Sequence, residues 1–312
     1  MIRIGSRGSQ LARWQSEHIA GLLRRAGHDV SIHIIRTSGD RLQEVTFAEA
    51  GTKGMFTKEI EEALAANRID LAVHSLKDLP TGLSAPFAIA AIPQREDARD
   101  VFVSPHHVVF ADLPHHARVG TSSLRRQSQL RALRPDIEFV EFRGNVDTRL
   151  RKLGEGQAHG IVLAAAGLAR LGRMEWVREY FSPETVCPAA GQGALAIECR
   201  ANDAPTHDAV RFLNHADTHY AVNAERAALS ALGGGCQVPI GIYCLRAGEQ
   251  FNIMGAVATA DGTKLVRAAT RGVPLNPEHF GSLLAEELLR LGARDILPFS
   301  ANGSQAAIPG AP

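Results

Sequence analysis

Strand-like and helix-like stretches alternate along the first two-thirds of this chain and then stop alternating. That change of rhythm limits the fold more than any single composition figure. "MIRIGS", "DVSIHIIR" and "DLAVHS" are short runs with strand character, separated by amphipathic helical spacing over about 9–26 and 56–67. A second series repeats the layout. "RDVFVS", "ARVGT", "IEFVEFR" and "GIVLAAAG" read as strands, with helices near 123–134 and 145–154. Two βαβ blocks of similar size predict two doubly wound α/β domains, because crossover helices cover the faces of a sheet. After about residue 215 the order becomes a helix at 218–232, three strand candidates ("VPIGIYCLRA", "FNIMGAVATA", "KLVRAATRG") and a long helix at 276–293. This predicts a small C-terminal α+β domain. The tail "SANGSQAAIPGAP" is polar and rich in Gly and Pro, and is expected to be disordered.

A chain of 312 residues, 45% hydrophobic and 21% charged, has material for two or three proper cores without a disulfide scaffold. The N-terminus "MIRIGSRGSQLARWQ" has no apolar stretch of signal-peptide length, and the longest apolar run, "GIVLAAAGLA", is too short to cross a bilayer. A soluble cytoplasmic protein is expected. The cysteines at 187, 199, 236 and 244 have neither C-x-x-C spacing nor a nearby His pair, so no metal site is expected. Of 34 basic residues only five are lysine, and Arg125, Arg126, Arg143, Arg149 and Arg151 cluster. Guanidinium groups grip carboxylates and phosphates through a planar two-pronged donor. With a net charge of only +1, the cluster fits a small polyanion better than a nucleic acid.

"GQGALA" at 191–196 has the glycine spacing of a dinucleotide loop, but it follows a Pro-containing loop and runs into the strand-like "ALAIEC", so that reading is rejected. Neither a Walker A sequence nor H-E-x-x-H is present. "TSSLRR" after "ARVG" is a better anion site, since Thr121, Ser122 and Ser123 bring hydroxyls to a helix N-terminus. In "ALGGGCQVPIG", three glycines precede Cys236, which suggests a backbone that something approaches closely.

"GSRGSQLARWQ", "KGMFTKE", "AVHSLKDLP", "REDARDVFVS", "GTSSLRRQSQL", "RGNVDTRL", "PAAGQGALAIECR" and "GGGCQVPIG" stand in the order, and at about the intervals, of the porphobilinogen deaminase (hydroxymethylbilane synthase) family. The resemblance covers residues 1 to 297. It implies two domains resembling type II periplasmic binding proteins: a discontinuous domain 1 at 1–95 and 194–214, domain 2 at 99–190, then domain 3 at 216–298 and a tail at 299–312. It implies a transferase that deaminates porphobilinogen and joins four units into linear hydroxymethylbilane. The primer is a dipyrromethane cofactor on Cys236, whose thiolate suits the electrophilic azafulvene left by loss of ammonia.

By the same resemblance Asp78 is the catalytic acid. Lys77, Asp78, Ser75, Thr121, Ser122, Ser123, Arg125, Arg126, Gly144 and Gly235 contact the cofactor, and Arg7, Arg143, Arg149, Arg170, Phe56 and Gln192 contact substrate. Residues 41–57, with Lys53 and Phe56, form a flap, while Arg131, Arg134 and Arg151 are solvated helix charges and the other three cysteines structural. The partners implied are porphobilinogen and uroporphyrinogen-III synthase, with no nucleic acid or membrane, for a monomer. Thr52 and Leu76 stand where the family often has Gly and Met; neither change removes a charge or nucleophile. A non-enzymatic dicarboxylate-binding domain would share the two-lobed fold but needs no Gly–Cys loop. A cysteine hydrolase would need a partner His that the sequence does not identify.

Overall fold

A computed structural model of the chain describes residues 1–37, 57–234, 238–273 and 276–297. Lys53, Phe56, Gly235, Cys236, the tail at 299–312 and all of the expected flap except Thr57 lie outside the described residues. The first unit contains β1 (Ile2–Ser6), α1 (Gln10–Arg25), β2 (Val30–Ile34), α2 (Lys58–Ala65), β3 (Leu71–Ser75) and β4 (Phe87–Ala91). α1 begins where Ser9 caps it, accepting from the Ala12 N–H. Its apolar stripe, Ile19, Ala20 and Leu23, packs on Ile4, Leu71 and Val73 of the sheet.

The second unit contains β5 (Asp100–Val103), β6 (Arg118–Gly120), α3 (Leu124–Leu133), β7 (Glu138–Val140), α4 (Val146–Gly154), β8 (Gly160–Ala164), α5 (Ala165–Arg170) and β9 (Val177–Tyr180). The chain then returns to the first unit as β10 (Leu195–Arg200) and α6 (Ala204–Val210). The run "GIVLAAAG", expected as one strand, becomes helical at Ala165, where alanine and leucine favour α5.

The two sheets have equivalent orders, β2-β1-β3-β10-β4 and β7-β6-β8-β5-β9. In each, the first three strands are parallel. The inserted strand, β10 or β5, is antiparallel to both neighbours. Each inserted strand is the first one after the chain changes units, so both sheets are mixed rather than wholly parallel. The two crossing segments touch, with Glu96 N–H donating to the Gly193 carbonyl at 3.2 Å. Gly193 has φ +85°, and a Cβ there would lie 2.4 Å from the Glu96 carbonyl oxygen. The glycines of "GQGALA" therefore serve a crossing turn that leads into β10, in agreement with the rejection of the dinucleotide reading.

The third unit comprises α7 (Ala216–Ala231), the antiparallel meander β11 (Ile240–Ala247), β12 (Gln250–Ala258) and β13 (Leu265–Gly272), and α8 (Pro277–Arg290). Ala224, Ala228, Leu284 and Leu288 cover Ile242, Ile253 and Val257. Glu225, wholly buried on α7, ties this unit to the crossings. It accepts from the N–H groups of Gly191 (2.7 Å) and Cys244 (2.8 Å) and from Arg95 Nη1 (2.6 Å) and Nη2 (3.2 Å). Arg95 Nε in turn donates to the Gln192 carbonyl at 2.7 Å.

Removing one partner of a buried charge pair leaves the other uncompensated, at a cost of about 3–5 kcal/mol. Glu225→Leu is expected to lose stability of that order in urea denaturation, with Glu225→Gln less affected because it keeps an acceptor. A wild-type urea midpoint for the Leu variant would rule out this role.

Candidate active site

The described residues expected in the site lie at or beyond the C-terminal ends of β1, β3, β6, β7 and β8, on the loops and the helices that follow them, where open α/β sheets bind ligands, with Gln192 on the crossing before β10. After β3 the chain makes one 3₁₀ turn, Leu76–Asp78. Leu76 is fully buried and its N–H donates to the Ala194 carbonyl at 3.0 Å; Lys77 is half-buried and Asp78 exposed. Lys77 Nζ donates to Gln192 Oε1 at 3.3 Å. Gln192 Nε2 donates to the Ala98 carbonyl (2.6 Å) and to Asp100 Oδ1 (3.0 Å).

Asp100, at the start of β5, is wholly buried. It accepts from Arg125 Nη1 at 2.6 Å, and from Arg126 Nε at 2.9 Å and Nη2 at 2.7 Å. Burial pushes the Asp100 carboxyl up, but the two guanidinium groups outweigh it and hold the group well below the usual carboxylate range.

Three residues expected at the site are held by protein partners, and one carboxylate among those partners was not anticipated. Arg125 and Arg126, expected as direct cofactor contacts, are buried and engaged with Asp100. Gln192, expected against substrate, is fully buried and joins Lys77 to Asp100. Asp100 itself was missed; its only sequence signal is an acid opening the apolar run "RDVFVS".

Around this core the charge is positive. Burial and the nearby Arg126 push Lys77 down to about 8, against the opposing pull of Asp78 and Asp100. Arg149 is lowered to about 10 by burial and Arg126, with Asp78 acting in the other direction, and its Nε donates to the Gly144 carbonyl at 2.9 Å. Arg170, buried on α5, is lowered to about 10 by burial, partly offset by Glu96, and its Nη2 donates to the Gly193 carbonyl at 2.6 Å.

Arg7, Ser75 and Asp78 line one pocket of about 70 Å³, where the buried Gln15 donates to Ser75 Oγ at 2.8 Å. Thr121 Oγ1 accepts from the Ser123 N–H (3.2 Å), and Ser122 Oγ donates to the Phe142 carbonyl (3.0 Å). Ser123 stands at the N-cap of α3 without a side-chain capping bond. Gly144 adopts φ +109° just before α4. Arg143 turns to Glu141, its Nε donating at 2.6 Å.

Arg151 is exposed and pairs with Glu155, as a solvated helix charge should. Arg134 departs from that expectation, since it pairs with Asp136 and donates to the Ala111 (2.7 Å) and Leu113 (3.0 Å) carbonyls. Arg131 donates to the Ala260 carbonyl at 3.0 Å. Cys187, Cys199 and Cys244 are buried and free. Burial pushes the first two thiols up to about 12 and about 11, and the third higher still, which makes them poor nucleophiles. Among the described residues no group of His, Cys, Asp and Glu could hold a metal, and no helix is long and apolar enough to cross a membrane. A larger depression of about 570 Å³ lies at the opposite end of β1, where Arg200 pairs with Asp203 and Arg3 with Asp70.

Residues 2–208 match a family model described as porphobilinogen deaminase, dipyromethane cofactor binding domain, and residues 219–290 match porphobilinogen deaminase, C-terminal domain. The porphobilinogen deaminase of Geobacter sulfurreducens is 46% identical over 298 residues, covering 95% of this chain and 93% of that protein. That of Syntrophobacter fumaroxidans is 48% identical over 299 residues, 95% of this chain and 97% of that protein. Among solved structures, a methionine-binding protein aligns at 12% identity and a TM-score of 0.44, covering 67% of this chain and 87% of that one. The family models and the length of the match establish that this chain belongs to the porphobilinogen deaminase family.

Proposed function

We propose that the chain removes the aminomethyl nitrogen of porphobilinogen as ammonia and joins four pyrroles head to tail on a dipyrromethane primer held through a thioether at Cys236, from which water cleaves the product as hydroxymethylbilane. The observation that carries this reading is the unbalanced positive charge of the site. Lys77, Arg149 and Arg170 find neutral carbonyl oxygens as their hydrogen-bond partners among the described residues, and the wholly buried Asp100, near Lys77, already serves Arg125 and Arg126. Such a donor set fits a group with several carboxylates, because each charge-assisted pair relieves a cation held in a poorly solvated place. The dipyrromethane, when bound, supplies the nucleophilic pyrrole carbon from which the chain is extended.

The protein's own part is binding and electrostatics. Lys77 would hold a carboxylate arm of the cofactor, with backbone and hydroxyl donors of Ser75, Thr121–Ser123, Gly144 and Gly235. Arg7, Arg143, Arg149, Arg170 and Phe56 would hold those of substrate. Asp100 and Gln192 fix the cations rather than touch substrate. Asp78, exposed and within electrostatic reach of Lys77 and Arg149, would stabilise positive charge on pyrrole nitrogen as ammonia leaves and again as the ring proton is lost. Three described cysteines have thiols raised by burial, so Cys236 is the remaining candidate for attachment. The reading extends to a cytoplasmic monomer that passes its product to uroporphyrinogen-III synthase, with domains at 1–95 plus 194–214, 99–190 and 216–298.

Protein made in a porphobilinogen-producing host is expected to exceed its 33.5 kDa chain mass by two linked, deaminated porphobilinogen units, and Cys236→Ser to lack the addition. Intact mass spectrometry decides this, and a bare-chain mass for the wild type would sink the proposal. Asp78→Asn keeps shape and hydrogen-bonding reach but loses the charge, so kcat at matched cofactor occupancy is expected to fall about 10²- to 10³-fold. Near-wild-type single turnover would make Asp78 structural.

Lys77 gives a proton-linkage prediction. Its native value of about 8 lies below the ordinary 10.5, so the ligand-free native state binds fewer protons than the unfolded chain in that window, and stability there rises with pH. A carboxylate partner raises Lys77 again, so anion binding near pH 8 should take up protons. Calorimetric titration of Cys236→Ser with a dipyrrole tetracarboxylate, in two buffers of different ionisation enthalpy, should show uptake at pH 8, less at pH 6, and loss of the pH 8 signal in Lys77→Arg. Equal heats in both buffers at pH 8 would contradict it.

A further inference from the structure

The strand that delivers Ser75–Asp78 is fastened to the strand that follows Gln192 by a buried pair that the chemistry above does not use. His74 on β3 lies opposite Ala196 on β10, and Glu198, two residues further along β10, falls on the same face. His74 Nε2–H donates to Glu198 Oε2 at 2.9 Å. Both residues are buried, and Glu198 Oε1 has no hydrogen-bond partner among the described residues. A carboxylate buried and half-satisfied in this way is a poor device for stability alone, since well-packed apolar residues of similar volume commonly do as well or better.

Its value is geometric. The neighbours along these strands, Ala72, Val73, Ala196 and Ile197, are apolar and buried on both faces, so the hydrophobic pattern discriminates weakly against a slip of the strands, whereas the polar pair is made in this stagger. The site depends on that stagger at three points. Leu195 pairs with Ser75, the Leu76 N–H meets the Ala194 carbonyl at 3.0 Å, and Lys77 reaches Gln192 at 3.3 Å. His74 also lines the pocket of Arg7, Gln15, Ser75 and Asp78.

We propose that His74, held by Glu198, is a positioning residue that sets the stagger of β3 on β10 and thereby places Lys77 and Asp78; for turnover this rests on the functional reading above. The test uses His74→Phe, Glu198→Leu and Glu198→Gln, the last of which keeps an acceptor for His74.

Amide hydrogen exchange, which needs no turnover, is expected to rise about tenfold at Leu76 and Leu195–Ile197 in the first two variants, stay at wild-type level in α7 and β11–β13, and be largely restored in Glu198→Gln. With cofactor occupancy matched by intact mass, the two disruptive variants are expected to lose about 10- to 100-fold in kcat with little change in KM, and the Gln variant to recover most of it. Wild-type exchange at Leu76 in both disruptive variants would overturn the proposal. So would faster exchange spread evenly over all three units with kcat per loaded molecule unchanged. Absence of porphobilinogen turnover in the wild type would remove the functional reading, while the exchange result would still decide whether the pair sets the stagger.

Discussion

A single buried carboxylate, Asp100, holds together the parts on which the site depends. It sits at the first residue of β5, directly after one crossing, and accepts from α3 through Arg125 and Arg126 and from the other crossing through Gln192. α3 buries Arg125, Arg126, Ser128 and Gln129 alongside Leu130, so ion pairs and hydrogen bonds dock it as much as an apolar stripe does. Burial alone would push Asp100 toward its neutral form, and the paired guanidinium groups reverse that. One carboxylate shared by two arginines still leaves a positive remainder, and that remainder is what the rest of the site enlarges.

Lys77, Arg149 and Arg170 add to it where water is scarce, and each is less easily protonated for that reason. Arg126 acts against the charge of both Lys77 and Arg149, and like charges repel more strongly where the effective dielectric is low than in bulk water, so gathering them carries a penalty. A neutral ligand of the same shape would leave that penalty in place. On the proposed reading, a ligand with paired carboxylates would remove it and, through Lys77, draw in a proton. Selectivity for polycarboxylates would then follow from the repulsion as much as from the number of hydrogen bonds available.

Much of this was legible in the sequence. The βαβ rhythm gave both α/β units and the helix–meander–helix end, because alternation and helical spacing report directly on which faces are buried. β4 and β9 went unread, since "FAIAA" and "VREY" are short and without clear alternation. The residues expected at an anion site came from motif resemblance, and their surroundings were not separable by type: nothing in the letters distinguishes Arg126, buried against Asp100, from Arg149, which meets a carbonyl. Asp100, Glu225 and the His74–Glu198 pair were invisible for the same reason. Each pairs with a residue 19 or more positions away, and a partner at that range is set by topology rather than by local pattern.

The topology also explains why the third unit can serve a site built by the other two. It is tied to both. Glu225 grips Arg95 and the Gly191 N–H at the crossings, and Arg226 on the same helix donates to the Pro80 (2.6 Å) and Thr81 (3.0 Å) carbonyls just beyond Asp78. From the second unit, Arg131 reaches the Ala260 carbonyl at 3.0 Å. α7 is thus referenced to the crossings, to the Asp78 loop and, through its own sheet, to α3. Its C-terminal turn, where the Gly234 N–H returns to the Leu229 carbonyl at 2.9 Å, is the last described structure before residues 235–237. The chain enters the cysteine loop from a helix anchored next to Lys77, Gln192 and Asp78. Any opening between the two α/β units must bend the crossings that Arg95 and Glu225 hold, so the end of α7 and the cations are constrained by the same few buried contacts.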